Sequence, residues 1–123
     1  MILADTSVWA DHIRFRNAQL SEALDAETLA CHPFVVGELA LGSLPNRAEF
    51  IDFLGELPKV RQASHSNVMD LIEASRLHSR GVGYVDMHLL ASVMITEGAA
   101  LLTYDKRMSG VAKDIGISVV ERG

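Results

Sequence analysis

The chain opens with four apolar residues, Met1-Ile2-Leu3-Ala4, and stops at Asp5, which reads as a short buried strand. Thr6 or Ser7 then supplies an N-cap for a helix to about Phe15, with Trp9 and Ile13 on one face. A second short helical stretch covers roughly 17–26, and Thr28 to Cys31 reads as the next strand. Pro33 suits the first turn of a helix running to Leu41, with Gly42 as its stop. A helix near 46–56 follows Pro45 and ends before Pro58, and Lys59 to Ala63 is a weaker strand candidate. Val68, Leu71, Ile72, Ser75 and Leu77 recur at roughly helical spacing, predicting a helix over about 66–80 that ends at Gly81-Val82-Gly83. Another helix, from about 86 to 97, is stopped by Gly98. The last third predicts a strand over 100–103, a helix from Asp105 to about Lys113, a break at Gly116 and a final strand over 117–120.

Strands separated by helical connections predict an α/β fold, with a mostly parallel central sheet covered by helices on both faces. In such sheets, sites form beyond the carboxyl ends of strands where the strand order reverses, and Asp5 and Asp105 both follow strands. The 123 residues contain no repeat, linker or low-complexity stretch, so one domain over 1–123 is expected. A hydrophobic content of 49% with little proline excludes a disordered chain. No apolar run reaches the ~18 residues of a membrane span, so a soluble protein with no membrane partner is expected. The N-terminus has no basic region and is interrupted by Asp5, Asp11 and Arg14, which argues against a signal peptide and for the cytoplasm. Cys31 is the single cysteine, so a cysteine-rich zinc site and an internal disulfide are excluded, and it reads as a packed structural residue.

Four carboxylates carry the candidate chemistry: Asp5, Glu38, Asp86 and Asp105, each where a hydrophobic element begins, ends or should be uninterrupted. Glu38 is the most diagnostic, because its helical neighbours Phe34, Val35, Leu41 and Gly42 make its own face apolar. An ionised carboxylate there needs compensation, whether from a structural arginine, protonation, exposure at a groove or a metal. Asp5, Asp86 and Asp105 each also read as helix N-caps. If all four converge, their repulsion is best relieved by a hard divalent cation bound through oxygen. Mg²⁺ or Mn²⁺ held by Asp5 and Asp86, with Asp105 as third ligand directly or through water, suits phosphodiester hydrolysis. Glu38 then ligates or orients the attacking water, and Thr6, Ser7 and Thr103 are candidate hydroxyl donors to the carboxylates.

The net charge of −5, from 11 basic and 16 acidic residues, argues against broad electrostatic binding of nucleic acid. Three basic pairs, Arg14 with Arg16, Arg76 with Arg80, and Lys106 with Arg107, are either phosphate contacts or solvated faces. The five histidines show no HxH or HExxH spacing, so none is assigned to catalysis or zinc. Gly81 and Gly83 lack the rest of a phosphate-binding fingerprint and read as a turn. Met69, Met87, Met94 and Met108 read as core fillers.

Taken in order along nearly the whole chain, these motifs resemble the PIN-domain ribonucleases, and more narrowly the VapC-type toxins of prokaryotic toxin–antitoxin pairs. Asp5-Thr6-Ser7 is similar to the family's first acidic motif and Val35-Val36-Gly37-Glu38-Leu39 to its second. Asp86-Met87-His88-Leu89-Leu90-Ala91 is similar to the third, and Leu101 to Arg107 to the terminal motif. His88 and Leu90 depart from the small or isoleucine residues common after the third aspartate, and Met108 stands where an aromatic often follows. The resemblance implies a three-layer α/β/α sandwich, Mg²⁺- or Mn²⁺-dependent endoribonuclease activity on structured RNA, and a homodimer. It also implies inhibition by a small antitoxin that places a basic side chain among the acids. Two competing readings are a PIN nuclease of RNA maturation and a non-catalytic acidic-pocket binding or signalling domain. A phosphoacceptor pocket would need paired acids after the first strand, where this chain has Thr6-Ser7.

Overall fold

The computed structural model describes residues 1–121 and contains, among these, three parallel strands and seven helices. The sheet is built around β1 (Ile2–Ala4), with β2 (Leu29–Ala30) on one side and β3 (Ala100–Leu102) on the other. Ile2 pairs with Leu29 and Ala100, Leu3 with Ala30 and Leu101, and Ala4 with Leu102. The chain therefore leaves β1 first to one side and later to the other, so the reversal of strand order falls at β1. Leu3, Ala4, Leu29, Ala30, Leu101 and Leu102 are all buried, as expected for a parallel sheet covered on both faces.

Side-chain caps start most helices, and they satisfy amides that the first turn leaves without partners. Asp5 caps α1 (Thr6–Phe15), Asn17 caps α2 (Ala18–Asp25) and Asp105 caps α7 (Lys106–Asp114). The cap of α1 is thus Asp5, not Thr6 or Ser7, because its backbone is extended while Thr6 is already helical. His32 caps α3 (Pro33–Ala40) by accepting the Phe34 amide on Nδ1 at 3.0 Å. Burial, and then the neighbouring His88, pushes the His32 pKa down to about 4, which keeps that nitrogen free to accept. Arg47, opening α4 (Arg47–Glu56), donates to the carbonyls of Ala40 and Gly42 and so joins the two helices. Ser64 and Asn67 form a capping box on α5 (His65–Ala74).

The sixth helix, α6 (Tyr84–Ile95), begins at Tyr84 after Gly83, so Asp86 lies within its first turn and is neither its opening residue nor its cap. Residues Met87 to Val93 are buried on every side of this helix. That explains a sequence without an apolar stripe: an all-round hydrophobic helix lies inside the fold. Trp9 is fully buried on α1 and Ile13 packs against the same core, as their spacing predicts. Met87 and Met108 fill the core, but Met69 and Met94 are exposed, which corrects the reading of all four as core fillers. Cys31 is buried, and desolvation raises its thiol pKa.

Three predicted elements are shorter than expected. Residues 59–63 make only a single bridge, Lys59 with Cys31, because the amides of Arg61 and Ala63 are taken by the hydroxyls of Thr96 and Ser92. Residues 117–120 likewise make one bridge, Val119 with Leu101. The helix expected over 66–80 ends at Ala74, where Leu77 donates to the Ile72 carbonyl and Arg76 turns to φ 52°. This is a Schellman ending, whose residue beyond the cap folds back onto the helix. Leu77 is buried from the loop and not from a helix face, so it mimicked helical periodicity.

The loop before α6 is pinned to α7. Arg80 forms an ion pair with Asp114 at 2.7 Å, and Gly81, at φ +79°, lies against the Arg107 side chain. A Cβ on Gly81 would sit 2.8 Å from Arg107 Cδ. Gly81→Ala is expected to lose about 1–2 kcal/mol from the left-handed backbone and the collision together. Chemical denaturation measures the loss, and adding Arg107→Ala is expected to recover only the steric part.

Candidate active site

Asp5 sits at the carboxyl end of the central strand and is only 4% exposed. Its amide donates to the Leu102 carbonyl at 3.0 Å, which continues the β1–β3 pairing up to the site. A buried carboxylate is costly unless hydrogen-bonded, and Asp5 takes three donors. Ser7 Oγ and the Val8 amide reach Oδ1, and Thr103 Oγ1 reaches Oδ2. Thr103 Oγ1 also accepts the Asp105 amide at 3.1 Å, so one hydroxyl spans the first and last acidic residues.

Asp105 directs Oδ1 at the amides of Arg107 and Met108, at 2.9 and 3.1 Å, and is otherwise exposed. Glu38 accepts Thr6 Oγ1 at 2.7 Å and is also exposed. The apolar face inferred for it from helical spacing is therefore open at the site, because α3 buries Val35 and Leu39 on its other side. Exposure together with the Thr6 hydroxyl compensates Glu38. All three hydroxyls picked out in the sequence, Thr6, Ser7 and Thr103, donate to these carboxylates.

Asp86 differs from the other three. No hydrogen bond reaches its carboxylate among the described residues. Burial first, and then the charges of Asp5, Glu38 and Asp105, push its pKa up from 3.8 to about 6. The four acids thus share one electrostatic field, though they come from α1's cap, α3, α6 and α7's cap. Among the described residues, no three acidic, histidine or cysteine side chains stand as a ready-made metal cage. Beside Asp105, a cavity of about 340 Å³ opens between Thr103, Tyr104, Lys106, Ser109 and Lys113.

The sequence reading missed a second polar layer. Tyr104 Oη accepts from Asn17 Nδ2 at 2.7 Å and donates to Gln19 Oε1 at 2.8 Å, while Asn17 Nδ2 also reaches Asp11. This network ties the segment after β3 to the α1–α2 junction. Asn17 standing before a helical run was the available signal, since asparagine is a preferred cap.

The PIN domain family matches residues 2–114, a span that contains all four carboxylates and runs from β1 to the end of α7. This chain belongs to the PIN-domain family. Within the family it belongs with the VapC-type ribonucleases. It is 42% identical over 121 residues to Ribonuclease VapC32 of Mycobacterium tuberculosis strain CDC 1551 / Oshkosh, which covers 98% of each chain. The same values hold for Ribonuclease VapC32 of strain H37Rv. The α/β sandwich and the parallel sheet agree with the PIN fold. No helix among the described residues of this PIN domain is long and apolar enough to cross a membrane.

The raised pKa of Asp86 makes a stability prediction with a definite sign. The fold favours the protonated acid, so that contribution is present below about pH 4 and is lost as pH rises through about 6. Asp86→Asn, which mimics the protonated form, is expected to match the parent protein near pH 4 and to exceed its stability at pH 7.5. Urea unfolding midpoints in chelator at the two pH values read the difference.

Proposed function

We propose that the protein is a metal-dependent endoribonuclease, the toxin of a toxin–antitoxin pair, acting as one nuclease domain over residues 1–123. The observation that carries this reading is the convergence of Asp5, Glu38 and Asp105 on the half-buried Asp86, whose carboxyl they help push up to about 6. Acids with perturbed titration cluster at functional sites, and a half-buried carboxyl facing three others in a cleft is such a site. The donor set, carboxylate oxygens only, fits a hard divalent cation such as Mg²⁺ or Mn²⁺. Asp5, Asp86 and Asp105 are the residues that would hold it. When bound, the ion neutralises the phosphate, acidifies a water and stabilises the leaving oxygen.

The chain's own groups have separable tasks. Thr103 and Ser7 fix Asp5, whose position is set by the central strand and cannot swing with solvent. Glu38, exposed and oriented by Thr6, is placed to accept a proton from the attacking water. Lys106 lines the cavity beside Asp105 and offers positive charge to an RNA phosphate, while Lys113 in the same cavity is ion-paired with Glu121 at 3.4 Å. The names of the relatives and the end-to-end alignment, 98% of both chains, support the toxin role over RNA maturation. That role entails a small antitoxin partner, a homodimer and a cytoplasmic location.

Purified, antitoxin-free protein is expected to cut total cellular RNA into discrete fragments with Mg²⁺ or Mn²⁺. Chelator or Asp5→Asn is expected to reduce cleavage by about 100-fold or more, since either removes the charge stabilisation of the transition state. Mn²⁺ is also expected to raise the thermal midpoint of the parent protein and not that of an Asp5→Asn/Asp86→Asn variant. No cleavage and no metal-dependent shift would overturn the reading.

A further inference from the structure

We propose that Phe34 and Tyr84 form a stacking platform for an unpaired base of the RNA strand, at the edge of the carboxylate cluster. This rests on the nuclease reading above and adds how the strand is held. Phe34 is 37% and Tyr84 48% exposed, although both rings are braced from beneath by histidines. The His88 ring, itself only 5% exposed, meets both edge-on, Phe34 at 4.8 Å and Tyr84 at 4.6 Å between centroids. His32, 1% exposed, packs against Phe34 at 5.1 Å, and His65 Nδ1 lies 2.6 Å from Tyr84 Oη. His32 Nε2 and His88 Nδ1 are buried without a hydrogen-bond partner among the described residues, and beyond His32's cap of α3 the two imidazoles back the exposed rings.

The location ties the rings to the chemistry. Phe34 stands one helical turn before Glu38 on the same face of α3, and Tyr84 is joined to Phe34 through the His88 ring that both contact. Two exposed rings already held in place pay little ordering entropy when a ligand covers them. A chain of net charge −5 cannot hold a polyanion by a general positive surface. Stacking supplies affinity that does not depend on that surface, and every base offers a π-face. Unpaired bases are the part of an RNA that can be splayed onto aromatic rings, so the platform selects single-stranded loops over duplex.

The test uses full-length protein carrying Asp5→Asn, so that RNA is not cut, and an end-labelled single-stranded oligoribonucleotide of mixed sequence read by anisotropy. Phe34→Leu and Tyr84→Leu, which keep apolar volume, are each expected to weaken Kd about tenfold, and Tyr84→Phe to restore it. Abasic nucleotides placed one at a time are expected to weaken the Asp5→Asn parent at one or two positions and to add nothing there in the leucine variants. In the otherwise unaltered parent, 2-aminopurine at those positions is expected to be quenched, a readout that needs no ring substitution. If the Asp5→Asn parent binds no RNA, the platform fails, and cleavage of total RNA by the unaltered protein decides the nuclease reading separately. RNA binding that is equal in parent and leucine variants, with no quenching at any position, overturns the platform alone. Unchanged RNA binding with loss of a basic protein partner overturns it too, and assigns the rings to that partner.

Discussion

Asp5 is a charged group held at the buried end of the central strand, and much of the structure is arranged to make that tolerable. Its carboxylate takes donors from α1 and from the residue that follows β3, so the same contacts that satisfy it also lock two elements together. Thr103 adds the Asp105 amide to this arrangement through one hydroxyl. Removing a donor would leave a buried acceptor unsatisfied, at about 1–3 kcal/mol, a large fraction of a small domain's stability. The site and the sheet are consequently one construction.

The balance of forces on Asp86 shows how strongly the cluster is set against itself. A carboxylate in the first turn of a helix is favoured by the dipole, an effect of about 0.3–1 kcal/mol that would lower its pKa. Asp86 occupies that position on α6 and still titrates higher than usual. Burial and three nearby carboxylates outweigh the helix. The position is held in place, because α6 is buried on every side from Met87 to Val93 and is held by Ser92 and Thr96 to the segment after Lys59. A rigid helix carrying a repelled charge is a preorganised acceptor for a positive ligand.

The acidic balance of the whole chain and the chemistry of RNA are reconciled by local placement. Lys106 lines the cavity beside Asp105, whereas Lys113 is paired with Glu121, Arg80 with Asp114, and Arg107 lies against Gly81. Of the basic pairs visible in the sequence, Lys106 borders the site, while Arg80 and Arg107 fasten the loop that leads into α6.

The order of strands and helices, the parallel sheet and the four acids were legible in the sequence, because each depends on local signals: short apolar runs, caps, prolines and glycines. Gly116 shows this most directly, since a left-handed helix ending there favours glycine and the backbone adopts φ +82°. Arg76 takes the same conformation without a glycine, so the end of α5 was not marked. Tertiary structure alone decided that Leu77 folds back from a loop, and that the amides after Lys59 bond to side chains of α6 and its C-cap Thr96 in place of a strand. It alone decided that Glu38 faces open solvent beside Thr6 and that four acids spread over 101 residue positions, from Asp5 to Asp105, act on one another. Local propensity is written in neighbouring residues, whereas the field at Asp86 depends on distances that exist only once β1, α3, α6 and α7 have packed.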